Sequence, residues 1–177
     1  MMKAFLLACV CVLVSVGYAV EPIQIPGVTN SYKICDELYR SGQPESEGFT
    51  ALQQMGIRSV LNLRECHKDT RKARHTQLHL MAYPVAAGAV IASDVENCLA
   101  LIANAPKPVL VHCWHGSDRT GIVVAAYRIV FQNWSVDAAE KEFREERFGY
   151  HEFWYENLLK LLRETDWTAM RGRLTGR

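Results

Sequence analysis

A cysteine and an arginine six residues apart are the side chains of this sequence whose types and spacing best suit chemistry. Cys113 and Arg119 lie in the run V-H-C-W-H-G-S-D-R-T-G, which begins at Val111 and ends at Gly121. A cysteine thiolate is a nucleophile, and a guanidinium can bind a phosphate through two parallel hydrogen bonds. The pair therefore predicts a site where a sulfur attacks a bound oxyanion.

The elements around this run would place both side chains correctly. The residues P-V-L-V-H before the cysteine have the pattern of a buried strand, and T-G-I-V-V-A-A-Y-R-I-V-F after the arginine has that of a helix. A loop from a strand end to a helix start presents backbone N–H groups and the positive end of the helix dipole, which together hold anions. The same surroundings favour the thiolate form of a cysteine.

The string H-C-x-x-G-x-D-R-T-G resembles the signature loop of the cysteine-dependent protein tyrosine phosphatase superfamily, in its dual-specificity-like branch. The resemblance extends to L-Y-R-S-G-Q-P (38–44), G-I-R-S-V-L-N-L-R (56–64) and F-G-Y-H (148–151), and covers roughly residues 31–162. The opening segments resemble those of compact bacterial and fungal phosphatases of this type. The resemblance implies an α/β, single-domain protein tyrosine phosphatase-like fold, with a mostly parallel central sheet flanked by helices on both faces, as strands alternating with helices also indicate.

The resemblance assigns a role to each residue of the loop. Cys113 would form a phosphocysteine intermediate, while Arg119 stabilises the charge on the phosphoryl oxygens. The segment that binds the substrate phosphate would comprise Trp114, His115, Gly116, Ser117, Asp118 and Arg119. Two neighbours would support it: His112 by hydrogen-bonding the loop backbone, and Thr120 by hydrogen-bonding the sulfur. No metal and no cofactor are expected.

The general acid departs from the family pattern. Many members carry an aspartate on a loop some thirty residues before the cysteine, but residues 83–88 read Y-P-V-A-A-G and hold no carboxylate. Some members with C-x-x-G-x-D-R use the aspartate of the loop itself, so Asp118 is the predicted acid. Asp94 and Asp69 are alternatives. Asp94 would more simply support the start of its helix, and Asp69 would be a surface charge.

The expected substrate is a phosphoprotein or another phosphomonoester. The loop contains no lysine of the kind that matches extra phosphates, which favours phosphotyrosine, with phosphoserine or phosphothreonine as further substrates. A phosphoinositide or small-molecule phosphate phosphatase is one alternative, and a non-catalytic phosphate-binding module is another. The basic run from Lys68 to His75 would either form a rim around the pocket or be a solvated helix face.

The sequence predicts four segments: a signal peptide (1–19), a linker (20–30), the phosphatase domain (31–165) and a C-terminal tail (166–177). A formal net charge of +1 gives no nucleic-acid footprint, no integral membrane partner is implied, and a monomer is expected. A short basic start, an apolar stretch and the small residues before Val20 predict export, with cleavage near Ala19. An uncleaved membrane anchor is the alternative.

Export would leave Cys35, Cys66 and Cys98 beside Cys113 in an oxidising compartment. A Cys35–Cys66 disulfide is conceivable, because both residues lie near predicted strand ends. Reduced, buried cysteines are the simpler expectation.

Overall fold

The computed structural model describes residues 20–176, and over this range six strands form one sheet that is covered by helices. The strands are β1 (Glu21–Pro22), β2 (Tyr32–Cys35), β3 (Leu38–Ser41), β4 (Ser59–Asn62), β5 (His79–Ala82) and β6 (Val109–His112). The α-helices are α1 (Ser46–Gln54), α2 (Ala92–Asn104), α3 (Asp118–Gln132), α4 (Val136–Phe143), α5 (Glu156–Glu164) and α6 (Trp167–Thr175). Short 3₁₀ turns occupy Asp69–Arg71, Ala87–Ala89 and Glu146–Phe148.

The strand order is β1-β2-β3-β6-β4-β5, with β6 in the middle of the parallel part. Strands β3 and β4 both run parallel to β6, and their last residues, Ser41 and Asn62, pair with His112. The segments that follow these three strands therefore emerge together at one edge of the sheet. That edge is where open parallel sheets place their ligand sites.

Strands β4 and β6 are buried along their whole length, which explains their continuous apolar character. On one face, Val60 and Leu110 pack with Phe49 of α1. On the other face, Leu61 and Val111 belong to the main core, in which α3 packs against α2, α4, α5 and α6. The predicted α/β fold, with a mostly parallel sheet and helices on both faces, is confirmed.

Two segments that the sequence places outside the domain pack onto it in the structure. Residues 20–30, predicted as a linker, include β1 and bury Ile25 and Val28 against α1. Residues 166–176, predicted as a tail, include α6, which buries Trp167 and Met170 in the main core. Both segments are therefore parts of the folded unit, because their apolar side chains have complementary surfaces to cover.

The two ends of the sheet separate two of the cysteines. Cys35 pairs with Leu38 at the edge where β6 begins, whereas Cys66 follows β4 at the edge where β6 ends. Four-residue strands span about 10 Å, and a disulfide needs Cα atoms roughly 4.4–6.8 Å apart. The conceivable Cys35–Cys66 bond is thus excluded by the topology, and the four cysteines from Cys35 to Cys113 are all free thiols.

The predicted signal peptide, residues 1–19, lies outside the described residues. Within residues 20–176, no helix has the length and apolar character needed to cross a membrane.

Candidate active site

The loop between β6 and α3 holds Cys113 at its base. Cys113 directly follows the last residue of β6, is 2% exposed, and lies under a tight turn at Gly116. Gly116 has φ +77°, and a Cβ atom there would come within 2.5 Å of the backbone of Ser41 and Gly42. Glycine is therefore required at this position for two reasons: its positive φ and the closeness of the β3 backbone.

Three successive carbonyl groups of the loop are turned outward and hydrogen-bonded to other segments. The Trp114 carbonyl accepts from the Gln43 N–H (2.9 Å), the His115 carbonyl from Asn30 Nδ2 (2.8 Å), and the Gly116 carbonyl from an Arg40 Nη atom (2.6 Å). Because a peptide's N–H points opposite to its C=O, the N–H groups of the next residues face inward. Among the described residues, the N–H groups of residues 114–117 have no hydrogen-bond acceptor. These N–H groups are thus arranged as the predicted anion-binding loop requires.

Arg119 lies at the start of α3 with half of its guanidinium already engaged. Its Nη1 donates to the carbonyls of Val85 (3.1 Å) and Leu63 (3.4 Å), in the segments after β5 and β4. Its buried Nε has no partner among the described residues. The Nε edge of the guanidinium, the edge used in bidentate binding of phosphate, is thus free.

His112 and Asp69 form a buried pair under the loop. His112 Nδ1 lies 3.1 Å from the Cys113 carbonyl and Nε2 lies 2.9 Å from Asp69 Oδ2, with side chains 0% and 5% exposed. Burial favours a raised pKa for Asp69, but the hydrogen bond and charge of His112, with bonds from Gln43 and Asn62, hold that pKa below its usual value. The predicted contact of His112 with the loop backbone is confirmed. The expectation that Asp69 is a surface charge is wrong, since it is buried and paired.

Asp118, the predicted acid, is the first residue of α3 and is almost entirely buried. Its Oδ1 accepts the His151 backbone N–H (2.9 Å), and both carboxylate oxygens lie 3.0–3.1 Å from His151 Nδ1. The His151 ring is 42% exposed, and its centroid is 5.4 Å from that of His115. The F-G-Y-H segment therefore joins the loop at this point.

The remaining predicted residues, Asp94 and Thr120, differ in whether their side chains are hydrogen-bonded. Asp94, the alternative acid, caps α2: one oxygen accepts the Ile91 N–H (3.0 Å) and the other the Tyr83 hydroxyl (3.0 Å). Thr120 is fully buried, yet its hydroxyl has no hydrogen-bond partner within residues 20–176, so the expected bond to the Cys113 sulfur is not formed in this structure. That role of Thr120 stays a prediction.

Several residues that hold the site escape prediction from the sequence. Arg40, on β3, is fully buried below the loop, with its guanidinium 4.1 Å from the centre of the Phe148 ring, and burial lowers its pKa to about 10. Arg64 donates to Gln43 Oε1 (2.7 Å) and lies 4.0 Å above the Trp114 ring. The only available signal was their place at or after strand ends in the 38–44 and 56–64 segments.

A cavity of about 720 Å³ opens beside the loop, against Trp114 and His115. Four basic side chains line it: Arg64, Lys68, Arg71 and Lys72. Lys72 is also paired with Glu45 (2.8 Å). The first part of the basic run, Lys68, Arg71 and Lys72, thus forms a rim around the cavity, whereas Arg74 and His75 are exposed and do not line it. The run is not the solvated helix face of the alternative interpretation, since only a short 3₁₀ turn forms there.

One group of side chains in the described range has the geometry of possible metal ligands. Nitrogen or oxygen atoms of His115, Asp118 and His151 all lie within 4.8 Å of one another. The Asp118 carboxylate is already occupied as the acceptor of two His151 hydrogen bonds. We therefore interpret the group as a hydrogen-bonded histidine–aspartate pair with a second histidine beside it.

Comparison with known proteins gives consistent matches. The family profile described as "Tyrosine phosphatase family" matches residues 27–160. The dual specificity protein phosphatase TpbA of Pseudomonas aeruginosa is 34% identical over 124 residues, which cover 68% of this chain and 56% of that protein. An inositol diphosphatase of Arabidopsis thaliana is 29% identical over 119 residues, covering 62% and 58% of the two chains. The chain thus spans just over half the length of these relatives.

Solved structures share the whole architecture. The crystal structure of P. aeruginosa TpbA superimposes with a TM-score of 0.80 at 27% identity, covering 89% of this chain and 96% of that one. A second TpbA structure, in complex with pTyr, gives the same TM-score at 26% identity and covers 90% and 98%. The catalytic domain of a PP-IP phosphatase from S. cerevisiae gives 0.73 at 21% identity, covering 86% and 95%, which shows a common fold.

Proposed function

Because this chain belongs to the tyrosine phosphatase family, we propose that it is a cysteine-dependent phosphatase that hydrolyses phosphomonoesters, phosphotyrosine of proteins foremost. The observation that carries the proposal is the unfilled set of hydrogen-bond donors around Cys113. Inward N–H groups of the loop and the free Nε edge of Arg119 converge where the helix α3 begins. A tetrahedral dianion satisfies all of these donors at once.

The first chemical step transfers the phosphoryl group to sulfur. The Cys113 thiolate attacks phosphorus, the S–P bond forms, and the bond to the leaving oxygen breaks. Negative charge spreads over the equatorial oxygens, where Arg119 and the loop N–H groups are already oriented to meet it. The leaving oxygen needs a proton, and the Asp118–His151 pair is the titratable group at this end of the loop.

The second step releases inorganic phosphate. Water attacks the phosphocysteine, the S–P bond breaks, and the thiolate of Cys113 is regenerated as the leaving group. Arg119 stays in place through both steps because its Nη1 is held by the carbonyls of Val85 and Leu63. No cofactor enters the proposed cycle.

Phosphotyrosine is the proposed substrate for two reasons. Cys113 is buried, with 2% of the residue exposed, so a phosphate on a long aryl side chain reaches its thiol more readily than one on a short side chain. The exposed Trp114 ring at the mouth offers a surface for an aromatic ring to pack on. The relative TpbA, named a dual specificity phosphatase and solved with pTyr, supports the same choice.

The basic cavity favours a second candidate, a phosphatase for small, multiply phosphorylated molecules. Arg64, Lys68, Arg71 and Lys72 border it, and one of the relatives is named an inositol diphosphatase. These cations would hold additional phosphates, although the loop itself has no lysine. The exposed Lys68 and Arg71 test this candidate. Changing both to glutamine should lower kcat/KM for an inositol pyrophosphate far more than for a phosphotyrosine peptide with neutral flanks, with the distant Lys141→Gln as control.

The proposed activity is tested with p-nitrophenyl phosphate and a phosphotyrosine peptide. Turnover should be inhibited by vanadate, unaffected by EDTA, and abolished in Cys113→Ser. The exposed Cys66 provides a matched control, since Cys66→Ser should retain full activity. Binding of phosphate without turnover in the wild-type protein would instead identify a phosphate-binding module and refute the proposal.

We also propose that the protein is exported, with cleavage near Ala19. The support is the composition of residues 1–19, a basic start followed by an apolar stretch and small residues. Mass spectrometry of the protein recovered from cell fractions tests this proposal. A chain that begins at Val20 outside the cytoplasm supports it. A chain that keeps residues 1–19 and stays with the membrane fraction supports an anchor instead.

A further inference from the structure

The His151–Asp118 contact has a direction that bears on proton transfer. An ionised carboxylate only accepts hydrogen bonds. The Asp118 carboxylate is met by two nitrogen atoms of one residue, the His151 backbone N–H and ring Nδ1. With Asp118 ionised, the proton between the two side chains lies on Nδ1, and the carboxylate has no proton of its own to give.

The other ring nitrogen of His151 is left open. Nε2 has no hydrogen-bond partner among the described residues, and the ring is 42% exposed while Asp118 is buried beneath it. The ring lies between Asp118 at one end of the phosphate loop and His115 in its middle. The backbone bond from the His151 N–H to Asp118 and the ring bond to the same carboxylate fix this orientation together.

We infer that His151, rather than Asp118, delivers the proton to the leaving oxygen, and that Asp118 is its positioning residue. This inference rests on the proposed phosphatase function. In the first step, protonated His151 donates from Nε2 to the leaving oxygen as the P–O bond breaks and the S–P bond forms, and it becomes neutral imidazole. In the second step, Nε2 takes a proton from the attacking water, and the cycle is restored.

This assignment explains the missing carboxylate on the segment after β5. Residues 83–88 carry no acid, yet the Val85 carbonyl holds Arg119, so that segment serves the guanidinium. Proton transfer is provided by a different segment, the turn between α4 and α5. Histidine is the side chain most often used for this task near neutral pH.

The test compares leaving groups in His151→Asn. An asparagine amide can keep the hydrogen bond to Asp118 that Nδ1 makes, but it has no titratable Nε2. We expect kcat/KM for phenyl phosphate to fall by about 10²–10⁴-fold, the usual contribution of a general acid. The value for 2,4-dinitrophenyl phosphate, whose leaving group needs no proton, should stay near that of the wild type. For the wild type, the logarithm of kcat/KM should depend little on the pKa of the leaving phenol. For His151→Asn, it should fall steeply as that pKa rises.

The controls separate this inference from the proposed function. His79→Gln, at an exposed histidine at the start of β5, should leave both rates unchanged. If His151→Asn retains hydrolysis of phenyl phosphate, His151 only positions Asp118 and the inference is overturned, while the phosphatase function stands. If the wild-type protein hydrolyses neither ester, the function fails and the inference falls with it. Thermal unfolding of each variant verifies that it is folded.

Discussion

Two histidine–aspartate pairs lie on either side of the loop between β6 and α3. Their nitrogen–oxygen distances are similar, but their exposure to solvent differs. His112 and Asp69, below the loop, lie 2.9 Å apart with side chains 0% and 5% exposed. His151 and Asp118, at the start of α3, lie 3.0 Å apart with the imidazole 42% exposed. In the first pair both ring nitrogens are engaged, one with the Asp69 carboxylate and one with the Cys113 carbonyl. In the second pair one ring nitrogen is open.

The difference assigns different tasks to the same two residue types. A buried ion pair with all its hydrogen bonds made is costly to disrupt, because removal of one partner leaves an uncompensated charge. A pair whose imidazole is partly exposed contributes less to stability, and that imidazole can exchange protons with a ligand. The inner pair, His112 and Asp69, thus fixes the position of the loop. The outer pair, His151 and Asp118, is suited to proton transfer.

The largest expected effect is on stability. Replacement of His112 by leucine, which has a similar volume, should lower the free energy of unfolding by about 3–5 kcal/mol, because the buried Asp69 carboxylate loses its hydrogen-bond partner. Urea denaturation followed by tryptophan fluorescence measures this loss. A loss below about 1 kcal/mol, typical of an exposed pair, would show that the inner pair is not structural.

The second effect is on catalysis at the outer pair. Asp118→Asn should reduce kcat/KM for phenyl phosphate by about 10²-fold or more, while an activated aryl ester is hydrolysed at close to the original rate. Steady-state kinetics with both esters measures this split. Asp137→Asn, at an exposed aspartate in the first turn of α4, is the control and should change neither rate. Equal reductions for both esters would remove Asp118 from proton transfer altogether.

A third expectation concerns pH. The pKa of Asp69 is lowered in the folded state, so between the folded and unfolded values the unfolded chain binds the additional proton. The contribution of Asp69 to stability is therefore complete above the unfolded value of about 4 and is lost as the pH falls through the folded value. Urea denaturation between pH 3 and pH 7 should show this decline, and Asp69→Asn should flatten it. An unchanged acid profile in the variant would refute the assignment.

The smallest effect is on the stability of the outer pair. His151→Leu should alter the free energy of unfolding by less than about 1 kcal/mol, because the ring is partly exposed and Asp118 keeps the hydrogen bond from the His151 backbone N–H. The same urea denaturation experiment measures it beside His112→Leu. Similar losses in the two variants would remove the contrast between the pairs.

The contrast also shows what could be predicted from the sequence. The strand, loop and helix around Cys113 are contiguous in the chain, so their pattern predicts the cradle and the place of Arg119. The contact of His112 with the loop backbone follows from the resemblance of the loop to the family signature. Its bond to Asp69 joins residues 43 positions apart, and the bond of Asp118 to His151 spans 33. Such partners depend on the strand order and on helix packing, which local patterns do not specify.

The ends of the chain illustrate the same limit. Asp166 caps α6 by accepting the Ala169 N–H, and Trp167 and Met170 recur at helical spacing, so a local signal for this helix was present. Its attachment was not predictable, because Arg171 donates to backbone carbonyls of α3 and Arg173 pairs with Glu96 of α2. The packing of residues 20–30 likewise needs α1 and β2 to be in place.

The outward ties of the loop carbonyls also decide how this site can be re-engineered. The cradle consists of peptide groups held by Gln43, Asn30 and Arg40. The exposed side chains of Trp114 and His115 therefore do not determine its shape. If the proposed function holds, we expect changes at these two positions to alter which phosphoesters are accepted while the loop keeps its shape. Position 116 has no such freedom, since even one added methyl group would meet the neighbouring strand. In this loop, the side chains that would select the substrate are thus separate from the backbone groups that would bind its phosphate.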